Sequence, residues 1–350
     1  INHEKHVSRL LSKFRNKNKE LDFAYKCSVN SLDQLTTEKG ILAGLPWFFQ
    51  YWARDELTSI KALSLFNKNL STQIINKYID FYIKNGNIYS NQESKLISKD
   101  ALGLLMLRSS EIKDYDSKII KALMSMNHQA SLIENGSLET WMDTHIANDT
   151  RSGARIEIQC YYLYIYSLMY KLTKNTKYKI IEEGLRNETR KKFFMDPVLK
   201  DGSDDVTIRP NIFLAYYTYS NLLTKEEWDH VFQTSIPKMW NNWGGFSSIE
   251  KSSPLFQPNY TGEDNISYHR GDSWYFLNNI AAICLLRQNR KKYSKYIKKI
   301  LESSIHEILW SGYLGFESEL SSSSRQKSEG CKSQSWSSAT FIELLKEMKS

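Results

Sequence analysis

IEIQCYYLYIYSLMYKL, Ile156 to Leu172, is the stretch on which the reading of the fold turns. Its apolar residues run almost all the way round a helical turn, as for a helix buried on several sides. LSTQIINKYIDFYI, Leu70 to Ile83, is of the opposite kind. There Ile74, Ile75, Tyr78, Ile79 and Tyr82 form one apolar face at helical spacing.

Working outward, helical periodicity dominates and strand-like alternation is scarce. After a basic leading helix over about 2–17, the pattern predicts helices near 21–36, 54–67, 70–84, 98–110, 115–133, 155–173, 176–193, 210–222, 225–240, 271–288, 291–309 and 333–348. Without the leading helix these are about twelve, or six hairpins. The turns KLTKNTKYK and LLRQNRKKY are short and basic, whereas the turn before every second helix is long and dense in chemistry, as in GLPWFFQYWARDE and TGEDNISYHRGDSW. One hairpin plus one long loop per unit builds an open solenoid or a closed ring. Six pairs closing on themselves form an all-α (α/α)6 barrel, with the even helices inside and the dense loops around one mouth.

The bulk numbers bound the rest. The 350 residues are 41% hydrophobic and 25% charged, with a mean hydropathy of −0.50. Such a chain holds a sizeable core in one large domain or two ordinary ones. No apolar run is long enough for a transmembrane helix, and INHEKHVSRLLSKFRNKNKE is too charged for a signal peptide. Beginning at Ile, the chain reads as one whose N-terminal part has been removed. Cys27, Cys160, Cys284 and Cys331 stand alone without metal-binding spacing, so neither a structural metal nor a disulfide framework is expected, and a cytoplasmic location fits. The net charge is +8, and Lys5, Arg9, Lys13, Arg15, Lys17 and Lys19 cluster near the start. With no nucleic-acid module beside it, this cluster reads as a solvated helix face rather than a nucleic-acid site. The 9 Trp and 21 Tyr are more telling, because they supply stacking surfaces.

The loops carry the candidate chemistry. ETWMDT places Asp143 two residues after Trp141, in a segment without helical period. An indole wall there desolvates the carboxyl and raises its pKa, which suits a proton donor. Glu317 and Glu319 in GFESELSSSS are candidates for a second carboxylate across a sugar ring. WARDE opens a helix with Arg54 and Asp55, a donor and an acceptor able to grip vicinal hydroxyls. Arg155 and Glu157 head the buried helix, and Arg209 precedes the helix-starting Pro210; all three are candidate substrate contacts at the mouth. YHRGDSW gathers Tyr268, His269, Arg270, Asp272 and Trp274, while SEGCKSQSW brings Gln334 and Trp336. Trp47, Trp52, Trp141, Trp274 and Trp336 are candidate walls. No phosphate-cradling glycine motif is present.

In these residues the sequence resembles the amylo-α-1,6-glucosidase domain of archaeal and bacterial glycogen debranching enzymes. GLPWFFQYWARDE, TWMD, RIEIQ, IRPN, YHRGDSW and GCKSQSWSSATFIELL carry the resemblance in that order, from about residue 41 to the end. Six short motifs in sequence are specific where each alone is weak. The resemblance implies an (α/α)6 catalytic domain over 21–350, behind a basic leading helix and linker at 1–20. It implies hydrolysis of α-1,6-linked glucose in a branched α-glucan, with inversion and without metal or cofactor. Asp143 matches the general acid; Glu319 matches the base better than Glu317 does; Arg54, Asp55, Arg209, His269 and Trp336 fall at sugar-contacting motifs. Two departures stand out. Arg270 and Asp272 replace the usual Gln and Thr, and ELSSSSRQKSEGC lacks the usual aromatic and proline residues. Relatives often carry an N-terminal β-rich domain, for which this chain has no room. The rival readings are an α-1,4-specific glucoamylase-like hydrolase and a non-catalytic glycan-binding toroid.

Overall fold

The computed structural model describes the chain except for Ile1, Gln92, Asn127, Gln129, Ser350 and residues 13–14, 113–116 and 147–148. Lys13 of the basic cluster and the start expected at 115 for the sixth helix lie outside the described residues. Helix α1 (Asn2–Leu11) packs on α2 and ends well short of the expected residue 17. Six outer–inner hairpins follow: α2 (Lys19–Gln34) with α3 (Ala53–Leu63), α4 (Lys68–Asn85) with α5 (Lys99–Ile112), and α6 (Ser117–Met124) with α7 (Ile156–Thr173). The second half repeats the pattern with α8 (Thr176–Phe193) and α9 (Asn211–Tyr219), α10 (Lys225–Met239) and α11 (Tyr275–Asn289), and α12 (Ser294–Trp310) and α13 (Ser335–Lys349).

The inner helices pack in order, α3 on α5, α5 on α7, α7 on α9, α9 on α11 and α11 on α13, and α13 returns to α3. The ring is closed, giving an (α/α)6 barrel. Composition decides which helices go inside. Every residue of α9 is buried, and so is every residue of α3 except Lys61. On outer α8 only Tyr178, Ile181, Leu185, Thr189 and Phe193 are buried, a single stripe at helical spacing. Among the described residues no helix is long and apolar enough to cross a membrane.

The two sets also begin differently. Outer helices α2, α4, α8 and α10 are capped by the side chains of Asn18, Asn67, Asn175 and Thr224. In five of the six inner helices the first N–H instead donates to a carbonyl in a neighbouring loop. Ala53 donates to Ser90 (2.8 Å), Lys99 to Glu139 (2.8 Å), Ile156 to Asp201 (3.0 Å), Tyr275 to Glu319 (3.2 Å) and Ser335 to Ala43 (2.9 Å). Each acceptor lies in the loop leading to the next inner helix, and the last bond closes the circle. Two short antiparallel pairs, Gly44–Leu45 with Ser333–Gln334 and Ser273–Trp274 with Leu320–Ser321, tie the same loops. The mouth is thus a ring of mutually capped loops.

Candidate active site

The loops enclose a cavity of about 840 Å³, within the roughly 300–1,000 Å³ common for small-molecule sites. Trp141 meets Trp274 edge-on at 5.4 Å, and Trp336 stacks on Phe276 at 4.2 Å with an 18° interplanar angle. Trp47 and Trp52 line it nearer the mouth, with Trp47 55% exposed. Indole Nε1 of Trp52, Nε1 of Trp336 and Oε1 of Gln334 are buried and make no hydrogen bond within the protein. Such atoms need a partner, and here they border a cavity that can hold a hydroxyl-rich one.

Asp143 lies in this wall, 27% exposed. Its Oδ2 accepts from Nη1 of Arg54 at 2.8 Å, and Oδ1 lies 3.7 Å from Nε2 of His269. Burial pushes its carboxyl up, but Arg54 and His269 outweigh burial and hold it below the usual carboxylate range. This corrects the expectation that Trp141 raises it. The indole packs against His269 and gives its N–H to Asn211 (2.7 Å), while the ionic partner comes from another hairpin. Burial in turn keeps His269 neutral, its pKa lowered to about 4, and its ring stacks on Trp274 at 5.1 Å.

Arg54 lines the cavity, but its guanidinium is already bound. Nε donates to Ser98 Oγ (3.1 Å), Nη2 to Ser90 Oγ (3.0 Å) and Nη1 to Asp143, with Asp100 at 3.4 Å. It therefore holds Asp143, where the sequence reading has it gripping hydroxyls. Asp55 accepts from Gln334 Nε2 at 2.8 Å. Burial, with Glu319 and Asp143 nearby, raises its carboxyl to about 8 against the pull of Arg54.

Glu319 is fixed from two sides. Tyr268 OH donates to Oε1, and the Cys331 N–H donates to Oε2 at 2.9 Å. Burial raises this carboxyl to about 7 against both donors, with Asp143 adding to the rise. Gly330 makes the close approach possible. At φ +62° it is in the left-handed region, and a Cβ there would stand 2.3 Å from Glu319 Oε2. Glu317 is sealed away from the cavity beside Glu307, Ser304 and Asn279, so only Glu319 of the two candidates faces it.

Four expected contacts lie behind the wall. His269, held between Asp143 and Trp274, is buried and does not line the cavity. Glu157, fully buried, pairs with Arg151 at 2.8 Å. Arg155 binds Asp205 at 2.7 Å and Asp201 at 3.3 Å. Arg209 donates to the His269 carbonyl at 2.6 Å and to Asp149 at 2.8 Å. Buried cations in such a site need paired anions, and these serve to fix the loops. Other lining residues escaped the sequence reading: Phe48, Ser94, Thr144, Tyr260, Glu263 and Asn265. The last three sit in or beside the dense loop TGEDNISYHRGDSW, ahead of its more conspicuous second half.

A closed six-hairpin toroid whose loops set Asp143 and Glu319, with further carboxyl groups, in one aromatic cavity defines the class: it is a six-hairpin glycosidase fold. A family model described as Amylo-alpha-1,6-glucosidase matches residues 110–343, more than half of the chain, and the chain belongs to that family, a glycoside hydrolase. Among solved structures the chain is similar to a wild-type glycosidase, with a TM-score of 0.67 at 10% identity over 96% of this chain and 99% of that one. It is likewise similar to a GH63 mannosylglycerate hydrolase from Thermus thermophilus in complex with glucose, with a TM-score of 0.67 at 10% identity over 91% and 99%. Likeness at this identity establishes the fold. No curated protein sequence matches.

Proposed function

We propose that this glycoside hydrolase releases single glucose units from α-1,6 branch points of a branched α-glucan, with inversion. Asp143 gives a proton to the glycosidic oxygen. Glu319 takes one from a water that attacks the anomeric carbon from the other face, the C–O bond breaks, and glucose leaves as the β-anomer. Inversion requires the two carboxyl groups to stand ~6.5–9.5 Å apart, with room for that water. Asp55 and Gln334 contact sugar hydroxyls, and the indoles of Trp52, Trp141, Trp274 and Trp336 wall the ring. With four free thiols, the enzyme works in the reducing cytoplasm.

The observation that carries this reading is the pairing of Asp143 with Glu319 in one tryptophan-lined cavity. The order of their pKa values favours a second reading, with the roles exchanged, because Glu319 is the carboxyl that holds a proton near neutrality.

α-Glucosyl fluoride separates the two, since its leaving group needs no protonation. Under the proposed assignment Asp143→Asn keeps turnover of the fluoride while losing branched dextrin, and Glu319→Gln loses both. The opposite pattern would establish the exchanged roles. Release of glucose from maltose in preference to isomaltose would replace the α-1,6 reading with an α-1,4 one.

A further inference from the structure

Two loops of the mouth have a second face. In the segment 45–52, Trp47, Phe48 and Trp52 line the main cavity, while Tyr51 lines another cavity of about 240 Å³. In the segment 89–96, Ser94 and Leu96 line the main cavity, while Tyr89 and Asn91 line the second. Lys77, Tyr78 and Phe81 of α4, with Lys39 and Ile88, complete its walls. The two cavities therefore share the same partitions, and Phe49, 66% exposed, stands on the loop between them.

The smaller cavity combines fixed aromatic rings with polar groups at its edge. Phe81 and Tyr89 meet edge-to-face at 5.4 Å, and Thr37 holds the Tyr51 hydroxyl at 2.8 Å, so the rings are fixed. The Lys77 ammonium lies over the Tyr51 ring at 5.6 Å, which leaves Phe81 and Tyr89 to offer the apolar faces. Fixed aromatic faces pack against the C–H face of a pyranose, and polar groups at the edge meet its hydroxyls. Asn91 and the two lysines supply those polar groups. The charge of Lys77 is already met by both oxygens of buried Glu56, at 3.0 and 2.8 Å. The inner cation is thus neutralised, and exposed Lys39 alone adds charge at the rim, so the lining does not require an anionic ligand.

We propose that this cavity is an accessory subsite for a second stretch of the same α-glucan, the part that does not enter the main cavity; the assignment rests on the debranching reading above. A substrate held at both places is retained by the effective concentration its own chain creates. Phe81 and Tyr89 are half-buried and outside the catalytic cavity.

In the double variant F81A/Y89A, KM for branched limit dextrin rises by about tenfold, with kcat unchanged and the kinetics on α-glucosyl fluoride untouched. Unaltered dextrin kinetics, or an equal loss on both substrates, would overturn the proposal. If the wild-type enzyme releases no glucose from dextrin, the debranching reading fails by itself. Calorimetric titration of maltohexaose into Glu319→Gln, with and without F81A/Y89A, then decides the subsite. Loss of one of two binding events supports it, and identical titrations sink it.

Discussion

Between the depressed pKa of Asp143 and the value of about 7 for Glu319, the pair holds one proton, which resides mostly on Glu319. Under the proposed assignment, proton donation by Asp143 therefore passes through the minority arrangement of a coupled pair. The profile of kcat/KM against pH is a bell whose alkaline limb falls near 7, where the shared proton is lost. Tyr268 donates to Glu319 and so favours its ionised form. Tyr268→Phe removes that donor, raises the pKa of Glu319 and moves the alkaline limb to higher pH. A pH–rate profile with an unmoved limb would show that the hydroxyl does not govern this titration. That Asp143 and Glu319 share one cavity was legible from their motifs, but their electrostatics were not. Trp141 is two positions from Asp143 and drew attention, whereas Arg54, which sets the charge, is 89 residues away.

Helices were the more legible scale, because an outer helix needs only a stripe and a cap while an inner helix is apolar throughout. Their ends were harder to place. The expected helix over 271–288 begins only at Tyr275, since Ser273 and Trp274 pair with Leu320 and Ser321 instead. Charged residues at the heads of the inner helices were also misread. Arg155, Glu157 and Arg209 looked like sugar contacts, yet each is held by a partner from a loop that periodicity cannot reveal. Outer helix α10 offers a local test. Thr224 and Glu227 form a reciprocal capping box there. Thr224→Ala lowers stability by ~1 kcal/mol, read by denaturant melting, and leaves kcat/KM as it was, because α10 lies outside the inner ring. A matching loss of activity would mean that the outer ring is coupled to the cavity.

Closure of the whole molecule rests on both ends of the barrel. At the mouth the loops cap one another in a circle. Deeper in the ring, Lys61 of α3, Arg108 of α5 and Tyr217 of α9 converge on Glu343 of α13. Lys61 lies at 2.6 Å and Arg108 at 3.7 Å, with a hydrogen bond from Tyr217. Burial pushes the Glu343 carboxyl up, but Lys61 and Arg108 outweigh it and hold it below the usual range. Glu343→Ala leaves buried Arg108 and half-buried Lys61 with Glu111 alone, at 2.6 and 2.8 Å, and takes the acceptor from Tyr217, which costs ~1–3 kcal/mol and lowers the melting temperature measured by calorimetry. An unchanged melt would show that the cluster does not help hold the ring shut. Six hairpins could be counted from the sequence, but whether they made an open solenoid or a ring depended on the contact of α13 with α3, the first and last inner helices.

The most direct test of the account is proton NMR of the first glucose freed from an α-1,6-linked glucosyl stub on a dextrin, recorded before mutarotation. A toroid that sets Asp143 and Glu319 on either side of one pyranose predicts β-glucose, formed by the wild-type enzyme and abolished in Glu319→Gln. Initial release of α-glucose, or undiminished release by the variant, would contradict it.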